Sequence, residues 1–205
     1  MRIHLPTHHA HGEADNPFQG EAAHYEWVAR HLMRRPYRRI AADATAALPA
    51  GASVLDVGTG PGLLLVELAR MRPDLRITGV DLATDMVETA RRNLSSFGDR
   101  TTAVVGDVSD LPFEDDTFDL VMSTLSLHHW GDPSAGGAEL TRVLRAGGQI
   151  RIYDLRSAPF AALCAGATGS DGGAEPSRFR ITPLPRPALR RLVLPSGDLP
   201  APQPG

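Results

Sequence analysis

The sequence predicts an α/β fold, a doubly wound and mostly parallel sheet with helices on both faces. Three observations carry that expectation. The run Val54 to Gly62, VLDVGTGPG, is an apolar strand ending in a glycine-rich turn, with the amphipathic stretch Leu63 to Met71 behind it as a helix. Strand-like and helix-like runs then alternate to residue 155, which implies right-handed crossovers and a parallel, two-side-covered sheet. The second strand, Arg76 to Val80, ends in Asp81, nineteen positions after Gly62. An acid at a spacing of roughly 20 residues is where a Rossmann-like fold holds ribose hydroxyls.

Composition narrows the field. A chain of 205 residues suits one domain with a sizeable core. Its net charge of −3 gives no sign of nucleic-acid or membrane binding, and a sequence pI near 6.2 agrees. Cys164 is the single cysteine, which rules out an internal disulfide framework and fits a reducing compartment. No apolar run approaches the roughly 18 residues that cross a bilayer, and no signal-peptide core is present at the N-terminus. The expectation is a cytoplasmic protein, monomer or homodimer. All 21 basic residues are arginine. The missing lysine excludes a P-loop phosphate site and a pyridoxal Schiff base.

Taken in order, residues 1–16 read as a flexible arm. Its His4, His8, His9 and His11 offer no defined metal geometry, so no metal site is expected. Phe18 to Met33 reads as an amphipathic helix that Pro36 breaks, and Tyr37 to Leu48 as a second helix. Arg30, Arg34, Arg35, Arg38 and Arg39 form a basic run read as a solvated helix face. Asp85, with Glu88 three positions on, suggests a capped helix start, and Met86, Val87, Ala90 and Leu94 its buried side. Thr101 to Val105 and Phe118 to Ser123 are the third and fourth strands. Asp132-Pro133 reads as the N-cap and first residue of a helix to Leu144, weakened by Gly136 and Gly137. Gln149 to Leu155 is the fifth strand. Beyond Arg156 the pattern thins: Ala165 to Ser177 is Gly-rich, and Phe179 to Leu184 with Ala188 to Leu194 suggest a terminal antiparallel hairpin. The prolines at 183, 185 and 187 fit that hairpin poorly, and residues 195–205 read as a disordered Pro-rich tail.

The glycine spacing, Gly58-x-Gly60-x-Gly62, differs from the Gly-x-Gly-x-x-Gly of dinucleotide binders. The strand before it ends with a carboxylate, Asp56, which would repel a pyrophosphate and welcome a cation. Here the sequence resembles the class I S-adenosylmethionine-dependent methyltransferases, whose first motif has the form (V/I)LD(V/I)GxGxG. The resemblance spans about residues 18–155 and is nearest the type 11 group, which includes ubiquinone and menaquinone biosynthesis enzymes. Gly79-Val80-Asp81-Leu82, Gly106-Asp107-Val108 with Leu111-Pro112-Phe113, Leu127-His128-His129-Trp130 and Leu144-Arg145-Ala146-Gly147-Gly148 follow in order.

That resemblance implies S-adenosylmethionine as cofactor and a small-molecule methyl acceptor. It places the amino-acid end of the cofactor on Asp56 and on the loop Gly58, Thr59, Gly60 and Gly62. Asp81 would accept from both ribose hydroxyls, Leu82 and Met86 would line the adenine, and Asp107 with the Val108 N–H would meet its edge. Ser123 and Thr124 would lie near the sulfonium, and Tyr25 would reach the cofactor's carboxylate. Plainer readings stand beside these: Asp56 as a loop cap, Asp81 as a helix-entry residue, Asp107 as a turn residue. His128 and His129 are the candidate catalytic bases for an acceptor that loses a proton; alternatively they pack or hydrogen-bond within their loop.

The expected organisation is therefore an arm at 1–16, a methyltransferase domain at 17–194 whose residues 17–48 form a helical lid, and a tail at 195–205. The expected function is methyl transfer from the sulfonium to a small molecule by in-line displacement, chiefly through positioning. A non-catalytic protein of the same fold that binds the cofactor or its product is the alternative.

Overall fold

The computed structural model describes residues 33–168, 177–179 and 189–195. Helix α1 (Arg34–Thr45) precedes an alternating series: β1 (Ser53–Val57), α2 (Leu63–Met71), β2 (Arg76–Asp81), α3 (Thr84–Leu94), β3 (Thr101–Val105), β4 (Phe118–Thr124), α4 (Pro133–Arg142) and β5 (Leu144–Asp154). Helix α5 (Phe160–Thr168) and strands β6 (Ser177–Phe179) and β7 (Leu189–Pro195) complete it. The seven strands form one sheet in the order β3-β2-β1-β4-β5-β7-β6. β1 to β5 are mutually parallel, and β7 runs antiparallel to both β5 and β6. The order reverses between β1 and β4, so the loops after these two strands diverge and leave a crevice at their carboxyl ends.

Alternation along each strand builds two cores. Val54, Ile77, Leu120, Met122 and Tyr153 face α1, α2 and α3, where they meet Ile40, Leu65, Leu68 and Val87. Leu55, Val57, Val121, Ile150 and Ile152 face α4 and α5, where they meet Leu140, Val143 and Leu163. Each fully buried Leu or Ile contributes about 1.5–3 kcal/mol of transfer free energy.

Helix α1 begins earlier than expected, because Pro36 lies in its first turn, where its missing N–H has no intrahelical partner to lose. Its arginines are not simply solvated: Arg34 and Arg38 approach the buried Glu67 of α2 at 3.5 and 3.8 Å. At the other end Asp43 accepts from the Tyr153 hydroxyl at 2.6 Å and from Arg191 at 2.7 Å. Burial pushes the Asp43 carboxyl up, but those two hydrogen bonds together with the charges of Arg191 and Arg151 outweigh it and hold the group below its ordinary range. Helix α1 is thereby pinned to α2, β5 and β7. The helix expected over Phe18 to Met33, the arm at 1–16 and the tail beyond Pro195 lie outside the described residues, apart from Met33.

Two expectations need correction. Helix α3 starts at Thr84 after Ala83, without a side-chain cap; Asp85 sits inside the first turn and accepts from the Met86 N–H. Asp81 instead fixes the approach to the helix, accepting from the N–H of Ala83, the residue before its first turn, at 3.0 Å. The Gly-rich stretch from Ala165 is helical to Thr168, as the end of α5. A Cβ on Gly137 would stand 2.2 Å from the Leu163 carbonyl oxygen, and one on Gly166 1.8 Å from that of Ser134. These glycines are where α4 and α5 press backbone to backbone, so residues that weaken an isolated helix by about 1 kcal/mol are what this pair requires. The terminal hairpin is present, with its first strand shorter and earlier than predicted.

Candidate functional site

Three carboxylates lie at the carboxyl ends of three strands of the sheet: Asp56, last but one in β1, Asp81, last in β2, and Asp154, last in β5. The cleft over the carboxyl ends is lined by Asp56, Gly58, Thr59, Gly60, Thr124 and, from α1, Tyr37. Asp56 is only 2% exposed, and its Oδ2 accepts from the Thr59 hydroxyl at 2.9 Å. Its Oδ1 is buried without a hydrogen-bond partner. Burial raises the Asp56 carboxyl to about 7; the Thr59 bond opposes this and the Asp81 charge adds to it.

The loop glycines divide by what surrounds them. A Cβ on Gly58 would collide with the Ser126 side chain at 1.8 Å, and one on Gly62 would meet the Ala90 Cβ at 2.9 Å. Gly58 and Gly62 thus let the loop sit against the β4–α4 connection and against α3. Gly60, with φ near +54°, faces open space within 4 Å, so its backbone is the part a ligand can approach. Its N–H donates to Asp81 Oδ2 at 2.7 Å. Asp81 therefore ties the glycine loop to α3 through one oxygen each, and each oxygen keeps capacity for another donor. Burial pushes the Asp81 carboxyl up, against the bonds from Ala83 and Gly60.

Beyond Asp81 the surface opens. Leu82 is 63% exposed, a large apolar side chain beside the half-buried Asp81, whereas Met86 is buried at the start of α3. Asp107 is exposed and accepts from both the N–H and the hydroxyl of Ser109, which hold it below the ordinary carboxylate range. The Leu111–Phe113 turn that follows is clamped by α4. Glu139 accepts from the Leu111 N–H at 2.8 Å, while Arg142 donates to the Phe113 and Leu111 carbonyls.

Thr124 lines the cleft, but Ser123 faces the opposite side of β4, buried with no partner for its hydroxyl. His128 and His129 lie in a 3₁₀ turn after β4, their rings 3.9 Å apart. His128 Nδ1 is 2.7 Å from Asp154 Oδ1, and Asp154 is fully buried. Burial and the neighbouring His128 hold His129 below its ordinary range. Tyr25 lies outside the described residues. The sequence reading missed two members of the site. Tyr37 looked like a helix start, and nothing local marks it as a cleft wall. Asp154 carries the same signal as Asp56 and Asp81, a carboxylate at a strand's end. Among the described residues no group of histidine, cysteine and acidic side chains could hold a metal.

The site fits S-adenosylmethionine on grounds internal to the structure. A buried carboxylate with an unpartnered oxygen suits a ligand bearing ammonium and sulfonium charge. A second carboxylate anchors the loop beside it, and the one loop glycine without close neighbours opens the backbone between them.

Comparison with known proteins agrees. Residues 54–148 match the family described as methyltransferase domain. The ubiquinone/menaquinone biosynthesis C-methyltransferase of Geotalea daltonii is 33% identical over 149 residues, covering 70% of this chain and 63% of the relative. The demethylmenaquinone methyltransferase of Roseiflexus castenholzii is 37% identical over 117 residues, covering 57% of this chain and 48% of the relative. The chain thus spans less than two thirds of either relative. Among solved structures, a protein from Methanococcus maripaludis described as an S-adenosyl-L-methionine-dependent methyltransferase superposes with a TM-score of 0.61 at 30% identity. That match covers 64% of this chain and 61% of the other.

Proposed function

Because this chain belongs to the class I S-adenosylmethionine-dependent methyltransferases, we propose that it moves the cofactor's methyl group onto a small-molecule acceptor. The observation that carries this reading is the unpartnered, buried Asp56 oxygen at the foot of the glycine loop. A carboxylate stripped of water is costly unless a cation meets it. Bound there, S-adenosylmethionine supplies an electrophilic methyl group on a sulfonium. Asp56 and the Gly60 backbone hold the amino-acid end. Asp81 accepts from the ribose hydroxyls while still fixing the loop. Leu82 and Met86 flank the adenine, with Asp107 and the Val108 N–H at its edge. Thr124 stands at the mouth of β4, on the side of the strand that faces the cleft.

These residues accelerate transfer by alignment, because an in-line displacement gains most from holding the acceptor atom behind the methyl carbon. A site closed to water strengthens that alignment, and residues 17–48, with Tyr25, are assigned to cover the cofactor. Tyr37 of this segment already walls the cleft. The relatives' names make quinone precursors the first acceptors to assay. Among the described residues no helix is long and apolar enough to cross a membrane. A cytoplasmic enzyme, monomer or homodimer, acting without nucleic acid or membrane, is the corresponding proposal.

Two measurements test the reading. Calorimetry should show S-adenosylmethionine and S-adenosylhomocysteine binding and no binding of NAD. Tritiated-methyl turnover against an acceptor panel should then show transfer; binding without transfer to any acceptor would favour a ligand-binding protein of the same fold.

A further inference from the structure

The first two turns of α1 carry more positive charge than the fold requires. Glu67 of α2 is buried, and Arg70, three positions on in the same helix, donates to it at 3.3 Å. That bond already gives the buried carboxylate a hydrogen-bonded cation. Arg34 and Arg38 converge on the same carboxylate from α1, through Nε at 3.5 and 3.8 Å, which are ion-pair rather than hydrogen-bond distances. They do not serve their own helix either. The first turn of α1 holds no acid, and Met33 before it makes no side-chain cap. Cations at a helix start oppose the helix dipole, at about 0.3–1 kcal/mol each. Three guanidiniums against one carboxylate leave an excess of two positive charges; among the described residues, no other acid pairs with Arg34, Arg38 or Arg70. Their side chains are 64%, 63% and 55% exposed, so most of their N–H donors remain open to a ligand.

This excess adjoins the cleft. Tyr37, three residues after Arg34 and one before Arg38, walls the cleft, as do Leu63 and Leu64 at the start of α2. Glu67 follows those leucines by one helical turn, a separation of roughly 5–6 Å. The glycine loop assigned to the cofactor ends at Gly62, more than a turn before Glu67. The cleft therefore has an acidic floor, at Asp56, and a basic rim displaced from it along α2.

We propose that Arg34, Arg38 and Arg70 form an anion site at the rim of the cleft, and that it holds a carboxylate or phosphate group of the methyl acceptor, remote from the methylated atom. The proposal rests on the methyltransferase reading and narrows it, to acceptors that carry an acid group. Glu67 gathers the three guanidiniums and is too deeply buried to occupy their outward donors. A guanidinium meets a carboxylate or phosphate through paired N–H bonds, which fix direction as well as charge. Binding energy from a remote group of this kind is directed to aligning the reacting atom behind the methyl carbon. The arginines take no part in bond making or breaking.

The test uses the full chain saturated with S-adenosylhomocysteine, at low salt. Benzoate and phenyl phosphate are titrated in turn, with benzamide and phenol as uncharged counterparts, while arginine Nε–H and leucine methyl NMR signals are followed. Saturable shifts of Arg34 and Arg38 together with the cleft-lining Leu64, caused by either anion and by neither neutral compound, support the proposal. The tighter of the two anions then identifies the acid group. Shifts confined to the arginines, or no saturable shift with either anion, overturn it. The double variant Arg34→Gln, Arg38→Gln should weaken anion binding at least about tenfold, the loss of one charge-assisted hydrogen bond. Its S-adenosylhomocysteine affinity should stay within twofold of wild type, and its melting temperature should be unchanged or higher. Arg35→Gln, exposed on the same helix but outside the cluster, should leave anion affinity within twofold. An equal loss in Arg35→Gln would assign the effect to diffuse charge, and weaker S-adenosylhomocysteine binding in the double variant would assign the arginines to the cofactor's own carboxylate; either overturns the proposal. If the double variant does not fold, the wild-type titration decides by itself. Failure of the wild type to bind S-adenosylhomocysteine would instead strike the methyltransferase reading, and this proposal with it.

Discussion

Replacing Asp56 with asparagine separates the carboxylate's charge from its shape. Burial raises this group from 3.8 to about 7. The folded chain therefore keeps a proton that the unfolded chain releases near its ordinary pKa, and stability falls as pH rises between the two values. At about 1.36 kcal/mol per pKa unit, the charged form costs the cofactor-free fold about 4 kcal/mol once pH exceeds 7. About 3 kcal/mol of that cost accrues between pH 5 and pH 8. Asparagine carries no charge but sets an N–H₂ where one oxygen has no partner, a burden of about 1–3 kcal/mol that does not vary with pH. Urea unfolding of cofactor-free wild type and Asp56→Asn at both pH values isolates the titrating part. The variant should gain about 3 kcal/mol on the wild type in going from pH 5 to pH 8. A stability difference that stays constant across that range would show that Asp56 is already ionised without ligand, and the desolvation argument would fail.

The same group shapes binding: wild-type affinity for S-adenosylmethionine should fall roughly tenfold per pH unit below about pH 7, as measured by calorimetry, and Asp56→Asn should lose this dependence. Asp81→Ala removes the acceptor for ribose and the anchor of the Gly60 N–H together, and should weaken S-adenosylhomocysteine binding by roughly 2–4 kcal/mol. Gly58→Ala meets Ser126 and should unfold the chain at lower urea. Gly60→Ala meets nothing within 4 Å and should cost only about 1–2 kcal/mol of stability while blocking the cofactor, so equal binding by Gly60→Ala and wild type would contradict the placement. Gly166→Ala should destabilise by more than about 2 kcal/mol, read by thermal unfolding, because its Cβ points into the α4 backbone.

Much of this protein was legible along the chain because it rests on local physics. Apolar runs of strand length, an amphipathic run starting at Leu63 and the Asp132-Pro133 helix start each declare themselves within a few residues. The structure places β3 at Thr101–Val105 and α2 at Leu63–Met71, as the pattern predicts. Asp56, Gly60 and Thr124, which the resemblance named, line one cleft at the carboxyl ends of the strands, and Asp81, which the strand-to-acid spacing also singled out, bonds the Gly60 N–H beside it. What needed the tertiary structure was every property set by a distant neighbour. The end of α5, residues 165–168, lay in a Gly-rich stretch with no apolar stripe to mark a helix; it is helical where Gly166 and Gly137 let α5 and α4 meet backbone to backbone. Asp85 resembled a cap, yet the helix starts one residue earlier, at Thr84, and the Asp81 before it is held by the Gly60 N–H from across the glycine loop. Tyr37 reaches the cleft only because Asp43 and Glu67 dock its helix onto the sheet and onto α2. The histidine pair was visible, but which ring has a carboxylate behind it depends on β5 lying next to β4, across 26 residues of chain. Periodicity specifies which faces are apolar; only packing brings a particular pair of side chains within hydrogen-bond reach.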